Sequence, residues 1–179
     1  LMVQEHLEQL DPLPNPPYAF FGHSMGCYVA HLLMQQLQKQ GKPLPQHVFY
    51  SSKVAPSRNY DKKRSILSDE EFVEKLRILK GMPDAILENP ELLRIFLPMV
   101  RNDFYAIDTY RYRPGPPYPV DMSVFCGSEE VVDDQELLDW KKEHTGKFHF
   151  ERRPGHHFWL FNELDWLGSY ILRTLGHGK

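Results

Sequence analysis

The sequence lacks the features that mark several special classes of protein. Its 179 residues include only two cysteines, Cys27 and Cys126, and they form no spacing typical of a metal site. No apolar run approaches the ~20 residues that a membrane-spanning helix needs, and no signal peptide is visible. The formal net charge of −3 provides no basic field for nucleic acid or an anionic membrane. We therefore expect a cytoplasmic protein that binds no metal, nucleic acid or membrane.

What is present indicates one α/β domain over residues 1–179. Hydrophobic residues make up 41% and charged residues 25%, which is ordinary for a globular protein. Short apolar runs alternate with amphipathic stretches, a pattern typical of a mainly parallel sheet. The runs that we interpret as strands are 18–21, 48–51, 122–126 and 149–152. Outside residues 65–112, we interpret three stretches as helices: 1–10, 25–40 and 160–175. Prolines indicate a loop over 11–17.

Residues 65–112 interrupt this alternation. Ser68 and Glu71 have the spacing of a capping box at the start of a helix, and a second helical pattern covers 90–108. Two or three helices are thus inserted between strands. In an α/β enzyme such an insertion usually covers the site, so we expect a helical lid here.

The sharpest motif is a G-x-S-x-G sequence, Gly22 to Gly26, placed directly between an apolar strand and an amphipathic helix. This is the context of a nucleophile elbow. The tight turn requires almost no side chain at Gly22 and Gly26 and lifts Ser24 above the sheet edge. The helix start behind it supplies amide donors to a developing oxyanion, with the Met25 N–H as the expected first donor.

A serine nucleophile needs a base and an acid that orients it. His157 follows the last predicted strand and precedes an apolar anchor, so we assign the base to it and interpret His156 as an exposed loop residue. His23, inside the elbow, is interpreted as structural, with its side chain pointing away from the nucleophile. The acid should follow strand 122–126. Glu130 has the most suitable offset, and the alternatives are Glu129, Asp133 and Asp134. The two aspartates also suit the cap of a helix that we expect to run through Trp140.

The chain resembles the type II thioesterases of polyketide and nonribosomal peptide synthesis and the medium-chain thioesterase of fatty-acid synthesis. The resemblance runs from about residue 18 to 172. It includes Phe21 to Gly26 at the elbow and Ser51 to Pro56 after the next strand. In the insertion it includes 68–72, 97–104 and 109–112. It ends with Pro154 to Phe158, which is similar to a Pro-Gly-Gly-His-Phe pattern.

The resemblance implies an α/β-hydrolase fold with Ser24 as nucleophile, His157 as base and Glu130 as acid. It implies substrates held on the phosphopantetheine arm of an acyl or peptidyl carrier protein, with no cofactor of the enzyme's own. The acyl pocket is then expected in the lid. The side chains expected to line it are Phe72, Leu76, Phe96 and Phe104.

Three departures from the family pattern stand out. Glu130 replaces the usual aspartate, and His156 replaces a glycine. The family also has strands before the elbow and an oxyanion amide on an early loop, so we expect on the order of 70 residues of the fold to be missing at the N-terminus. Two alternatives stay open from the residues. One is another α/β-hydrolase, such as a carboxylester hydrolase or an acyltransferase. The other is a non-catalytic, hydrolase-like fragment.

Overall fold

The computed structural model describes residues 17–58, 63–80 and 82–176. The helix predicted within 1–10, and all but the last residue of the proline-rich loop 11–17, lie outside the described residues. No helix in the described ranges is both long enough and apolar enough to cross a membrane.

The secondary structure alternates as the sequence predicts, apart from the insertion. The four strands are β1 (Ala19–His23), β2 (His47–Ser51), β3 (Asp121–Gly127) and β4 (Phe148–Arg153). The six helices within the described residues are α1 (Met25–Lys39), α2 (Asp69–Ile78), α3 (Asp84–Leu87), α4 (Pro90–Thr109), α5 (Asp134–Leu138) and α6 (Leu164–Thr174).

The strands form one parallel sheet in the order β1-β2-β3-β4. The prediction of a mainly parallel sheet is therefore confirmed. The carboxyl ends of parallel strands meet at one edge, so the segments that follow these strands share that edge. This edge, called here the catalytic edge, comprises residues 24, 52, 127–130 and 155–157.

Side chains on both faces of the sheet are buried, as expected of a parallel sheet. Along β2, Val48 and Tyr50 belong to the core on the face covered by α1. Phe49 faces the opposite way and packs in the core that includes Trp159 and Leu167. The ring of Tyr50 stacks on buried Trp140 at 3.8 Å between centroids. Alternation along one strand thus ties both helical layers to the sheet.

The helices α2, α3 and α4, called here the helical insertion, have a hydrophobic core of their own. The predicted capping box is confirmed, because the Glu71 N–H donates to Ser68 Oγ at 3.2 Å and the Ser68 N–H donates to Glu71 Oε2 at 3.1 Å. The Arg101 guanidinium donates to the Ser65 and Leu67 carbonyls at 2.8 and 2.7 Å. The residues of this core are Phe72, Leu76, Met82, Leu87 and Leu97.

Two predicted helices are shorter than expected. The closing helix, predicted over 160–175, is a 3-10 turn (Trp159–Phe161) followed by α6. Glu163 between them has φ −123, outside the helical region, and its carboxylate pairs with Arg153. The helix predicted to continue through Trp140 ends at Leu138 and continues as a 3-10 turn. The helical spacing of apolar residues continues across each break, because the segments on its two sides bury side chains in the same core.

Candidate active site

The elbow holds Ser24 in a strained conformation at the end of β1. Its φ is +53, a left-handed value that serine rarely adopts. The Ser24 N–H donates to the Ser51 carbonyl at 2.8 Å, which ties the turn to β2. Met25 begins α1, so its N–H belongs to the first turn, where amides have no partner within the helix. The backbone therefore offers an anion-binding end directly beside the serine hydroxyl.

The two elbow glycines differ in how much they are needed. A Cβ on Gly22 would lie 2.5 Å from the carbonyl oxygen of Gly26, so a side chain there would force the backbone apart. A Cβ on Gly26 would meet no described atom within 4 Å. The expectation that both positions exclude a side chain therefore holds for Gly22 and is wrong for Gly26, because the crowding falls on one side of the turn.

His157 and Glu130 meet at the catalytic edge. His157 Nδ1 lies 2.9 Å from Glu130 Oε2. The other carboxylate oxygen, Oε1, accepts from the Ser52 hydroxyl at 2.6 Å and from the Gly127 N–H at 2.9 Å. Burial alone would raise the pKa of Glu130, but the hydrogen bonds from His157 and Ser52 outweigh it and lower the pKa to about 2. A charged carboxylate thus fixes the proton of the neutral imidazole on Nδ1.

A glycine allows the loops that carry these two residues to approach. A Cβ on Gly127 would lie 2.4 Å from the carbonyl oxygens of both Gly155 and His156. Next to it, the Ser128 N–H donates to the Arg153 carbonyl at 2.7 Å, and the Glu129 N–H donates to Gly155 at 3.0 Å. Backbone contact, rather than the side chains alone, brings the loop of Glu130 to the loop of His157.

Glu129 pairs with a different histidine. Its Oε2 lies 2.8 Å from His156 Nε2, and both side chains are about half exposed. Two histidine–carboxylate pairs therefore lie side by side, one partly buried and one at the surface. The inward pair is His157 with Glu130, because their side chains are 21% and 10% exposed, against 49% and 54% for His156 and Glu129.

The two aspartates after β3 serve the local structure. Asp133 accepts from the Gln135 N–H at 2.7 Å and forms the N-cap of α5 in a capping box. Asp134 pairs with Arg152 at 2.7 Å. Neither carboxylate pairs with His157. Asp133 caps α5, and Asp134, its first residue, forms an ion pair with Arg152.

His23 lies closer to the base than the sequence interpretation implied. Its Nδ1 is 2.9 Å from Ser51 Oγ, and its ring centroid lies 4.9 Å from that of His157 and 5.5 Å from that of Phe158. Burial, helped by the charge of His157, lowers the pKa of His23 to about 4. His23 is therefore an uncharged ring packed beside His157. Because His23 precedes Ser24, this packing also places the nucleophile's neighbour directly against His157.

Comparison with known proteins decides the family. The family model described as "Thioesterase domain" matches residues 1–173. The chain belongs to the thioesterase domain family. It is therefore of a class of hydrolases that act on thioester bonds.

Characterised relatives agree with this membership. The chain is 33% identical over 176 residues to the gramicidin S biosynthesis protein GrsT of Aneurinibacillus migulanus, covering 97% of this chain and 69% of GrsT. It is 31% identical over 170 residues to the medium-chain S-acyl fatty acid synthase thioesterase of Rattus norvegicus, covering 91% of this chain and 64% of that protein. The chain thus spans about two thirds of the length of these relatives.

Solved structures show the same α/β-hydrolase fold. ClbQ from the colibactin pathway superposes with a TM-score of 0.89 at 27% identity, covering 97% of this chain and 75% of ClbQ. The type II thioesterase BorB from the borrelidin cluster gives a TM-score of 0.82 at 33% identity, covering 97% of this chain and 73% of BorB. The predicted resemblance to type II thioesterases and the predicted fold class are confirmed.

The structure of this thioesterase-family chain places the predicted pocket residues differently from the expectation. Phe72 and Leu76 are fully buried in the core of the helical insertion, and Phe104 packs edge-on against Phe72 at 5.2 Å. Phe96 is exposed on α4. In this arrangement Phe72 and Leu76 fill the insertion instead of lining an open pocket. Helical spacing identified an apolar face correctly, but it does not say what that face packs against.

A surface cavity of about 770 Å³ lies elsewhere, between the second half of α1 and residues 109–118. Its lining begins at Leu32 and includes Lys39 on α1, whereas Ser24 precedes the other end of that helix. This cavity is therefore separate from the catalytic edge. The described residues also contain no group of three or more histidine, cysteine, aspartate or glutamate side chains arranged to hold a metal ion.

Proposed function

We propose that this protein hydrolyses acyl thioesters carried on the phosphopantetheine arm of an acyl or peptidyl carrier protein, and does so with Ser24, His157 and Glu130. The observation that carries the proposal is the 2.9 Å contact between His157 Nδ1 and Glu130 Oε2 at the same sheet edge as the strained Ser24. A base oriented by a partly buried carboxylate beside an elbow serine is the arrangement that acyl transfer requires.

In the first half of the reaction, Ser24 Oγ attacks the thioester carbonyl carbon. His157 takes the hydroxyl proton on Nε2, while Nδ1–H stays on the charged Glu130. The negative charge that develops on the carbonyl oxygen is stabilised by the Met25 N–H and the start of α1. The intermediate then collapses with cleavage of the carbon–sulfur bond, and the pantetheine sulfur leaves as the thiol with the proton from His157.

In the second half, water replaces the thiol. His157 takes a proton from water, whose oxygen attacks the acyl-serine carbonyl, and returns that proton to Ser24 Oγ as the free acid leaves. Every proton movement uses residues of this chain, so the proposed reaction needs no cofactor. The role that fits is release of finished chains or clearance of wrongly loaded carriers. The relatives from gramicidin S biosynthesis and fatty acid synthesis support that role.

The test is hydrolysis of acyl-pantetheine thioesters by the complete protein, with free thiol as the readout. We expect Ser24→Ala to lower kcat by about 10⁶-fold, the loss typical of a missing nucleophile in a serine triad. Activity that survives Ser24→Ala would overturn the mechanism.

Two further measurements separate this function from the other readings of the sequence. Rates on matched oxygen esters distinguish a thioesterase from a carboxylester hydrolase, and we expect the thioester to react faster. Labelling with a fluorophosphonate distinguishes an enzyme from a binding fragment. We expect the wild type to be labelled at Ser24, and absence of labelling would favour the non-catalytic reading.

A further inference from the structure

The side chain of Ser52, the first residue after β2, forms hydrogen bonds with three residues at or beside the catalytic edge. Its hydroxyl lies 2.6 Å from Glu130 Oε1 and 3.2 Å from the carbonyl oxygen of His157. The indole N–H of Trp159 donates to Ser52 Oγ at 3.2 Å. Its backbone N–H donates to the Phe125 carbonyl at 2.8 Å, which anchors the residue to β3. No other part of the proposed mechanism uses this hydroxyl.

The direction of the Ser52 proton follows from these contacts. A hydroxyl has one proton to donate, and Trp159 Nε1–H can only donate, so it occupies a lone pair of Ser52 Oγ. The proton goes to the Glu130 carboxylate, because a charged acceptor at 2.6 Å outcompetes a neutral carbonyl at 3.2 Å. The result is a directed chain from Trp159 through Ser52 to Glu130, in which each bond strengthens the next.

The backbone of Ser52 shows that the position is an unfavourable one for serine. Its φ is +57, in the left-handed region that glycine adopts without cost and other residues adopt at roughly 1 kcal/mol. Ser52 is nonetheless buried and its side chain is fully engaged. A glycine would fit this backbone better, but it would leave Glu130 Oε1 without its shortest hydrogen bond.

We infer that Ser52 is a positioning residue for the reaction: it holds Oε1 of Glu130, so that Oε2 faces His157 Nδ1. The inference rests on the proposed function and adds a fourth residue to it. Glutamate has one more rotatable bond than aspartate, so its carboxylate needs a second fixed point to stay aimed at the imidazole. The Gly127 N–H and the Ser52 hydroxyl supply that point from two different strands.

The test compares Ser52→Ala with Ser52→Gly in the complete protein. Both variants remove the hydroxyl, but glycine also relieves the backbone strain. We expect both to lower kcat/KM for an acyl-pantetheine by about tenfold, the value of one charge-assisted hydrogen bond, with the loss in kcat rather than KM. The more basic Glu130 then stabilises the protonated imidazole of His157, so the acidic limb of the kcat/KM profile moves to higher pH.

Ser123→Ala is the matched control. Ser123 is also buried in the sheet and hydrogen-bonded, to His47 at 2.9 Å and Tyr170 at 3.0 Å, but it lies away from Glu130. We expect it to lower the melting temperature without moving the acidic limb. A second readout needs no turnover: the NMR resonance of the His157 Nδ1 proton should shift in both Ser52 variants and not in Ser123→Ala.

The outcomes separate the inference from the function on which it rests. A wild type that fails to cleave thioesters, or that keeps its activity in Ser24→Ala, overturns the proposed function. An active, Ser24-dependent wild type with Ser52 variants that keep its pH profile and its Nδ1 resonance overturns the role of Ser52 alone. Activity recovered in Ser52→Gly but lost in Ser52→Ala also overturns it, because strain would then be the cause.

Discussion

The catalytic edge and the helical insertion are built in opposite ways. Residues 24, 52, 130 and 157, which meet at the edge, come from four separate parts of the chain, and the parallel sheet brings them together. The insertion is a continuous stretch, 69–109, that is held by its own caps and its own core. The edge therefore depends on long-range backbone pairing, whereas the insertion depends on local helices and side-chain burial.

This difference shows which region of the molecule fixes the positions of individual atoms. At the edge, positive φ values, a glycine contact and short hydrogen bonds fix individual atoms. The insertion, by contrast, leaves apolar side chains exposed along α4, whereas the core around the sheet buries its apolar side chains. These exposed residues, at helical spacing, are Leu92, Ile95, Phe96 and Met99. We expect the edge to set the chemistry and the insertion to tolerate change without loss of the nucleophile.

Among substitutions that leave Ser24 in place, the largest effect should come from Glu130 at the edge. We expect Glu130→Gln to lower kcat by about 10³–10⁴-fold, because a neutral amide no longer fixes the His157 tautomer or stabilises its charged form. The matched control is Glu129→Gln, one residue away and half exposed against His156, for which we expect a change below threefold. Steady-state hydrolysis of an acyl-pantetheine measures both. Equal losses in the two variants would show that the inward pair was assigned wrongly.

The next effect tests the independence of the insertion. Phe72 is fully buried, so Phe72→Ala should cost about 3–5 kcal/mol through lost contacts and a cavity. Hydrogen exchange should show that cost in α2 and α4, while fluorophosphonate labelling of Ser24 stays within a few-fold of the wild type. Phe96→Ala, on the exposed face of α4, is the control and should change stability by about 0.5 kcal/mol or less. A hundredfold drop in labelling of Phe72→Ala would refute the separation.

Acid should separate the two regions by stability. Burial, followed by the charge of His144, lowers the pKa of His31 to about 4 from its usual 6.5. The unfolded chain therefore takes up a proton near pH 6.5 and the folded chain only near pH 4, so stability is full above 6.5 and falls as pH drops to 4. The cost is on the order of 3 kcal/mol for this residue. Residues 69–109 contain no histidine, so exchange in β2 should rise more than in α4.

His31→Gln tests the cause of that acid effect. Besides His144, the neighbours of His31 include Glu143, 3.9 Å from its Nε2, and Gln35 at 3.3 Å. The rings of Tyr118 and Trp140 pack edge-on against it. We expect the variant to have a shallower dependence of the unfolding free energy on pH between 6.5 and 4, whatever its stability at neutral pH. An unchanged slope would place the acid sensitivity on another group.

The smallest effect concerns the backbone of the elbow. Gly22→Ala should lower kcat by about a hundredfold, because a Cβ 2.5 Å from the Gly26 carbonyl displaces Ser24 by a fraction of an ångström or more. Gly26→Ala should stay within threefold, since its Cβ meets open space among the described residues. The rate of Ser24 labelling compares the two. Similar losses in both variants would mean that the crowding is shared across the turn.

Much of this architecture could be predicted from sequence. The positions of β1 and α1 follow to within two residues from an apolar run and an amphipathic face, and the capping box of Ser68 follows from two residues three apart. The break at Glu163 could not be predicted from spacing, because the apolar spacing continues across it; in the structure the Glu163 carboxylate pairs with Arg153 from β4. The role of Phe72 was missed for the same reason: periodicity shows a buried face and not its partner.

The sequence by itself determined most of the helices and strands, the elbow at Ser24 and the family, because these depend on residues that are neighbours in the chain. Only the tertiary structure placed Glu130, which the sequence had favoured among four carboxylates, on His157. It also set His23 against His157 and brought Ser52 to Glu130. Of these residues, the farthest apart in sequence are His23 and His157, which lie 134 positions from each other (157 − 23). The geometry of these contacts depends on the order and register of the strands and on the paths of the loops. A one-residue shift in register would turn a different side chain inward.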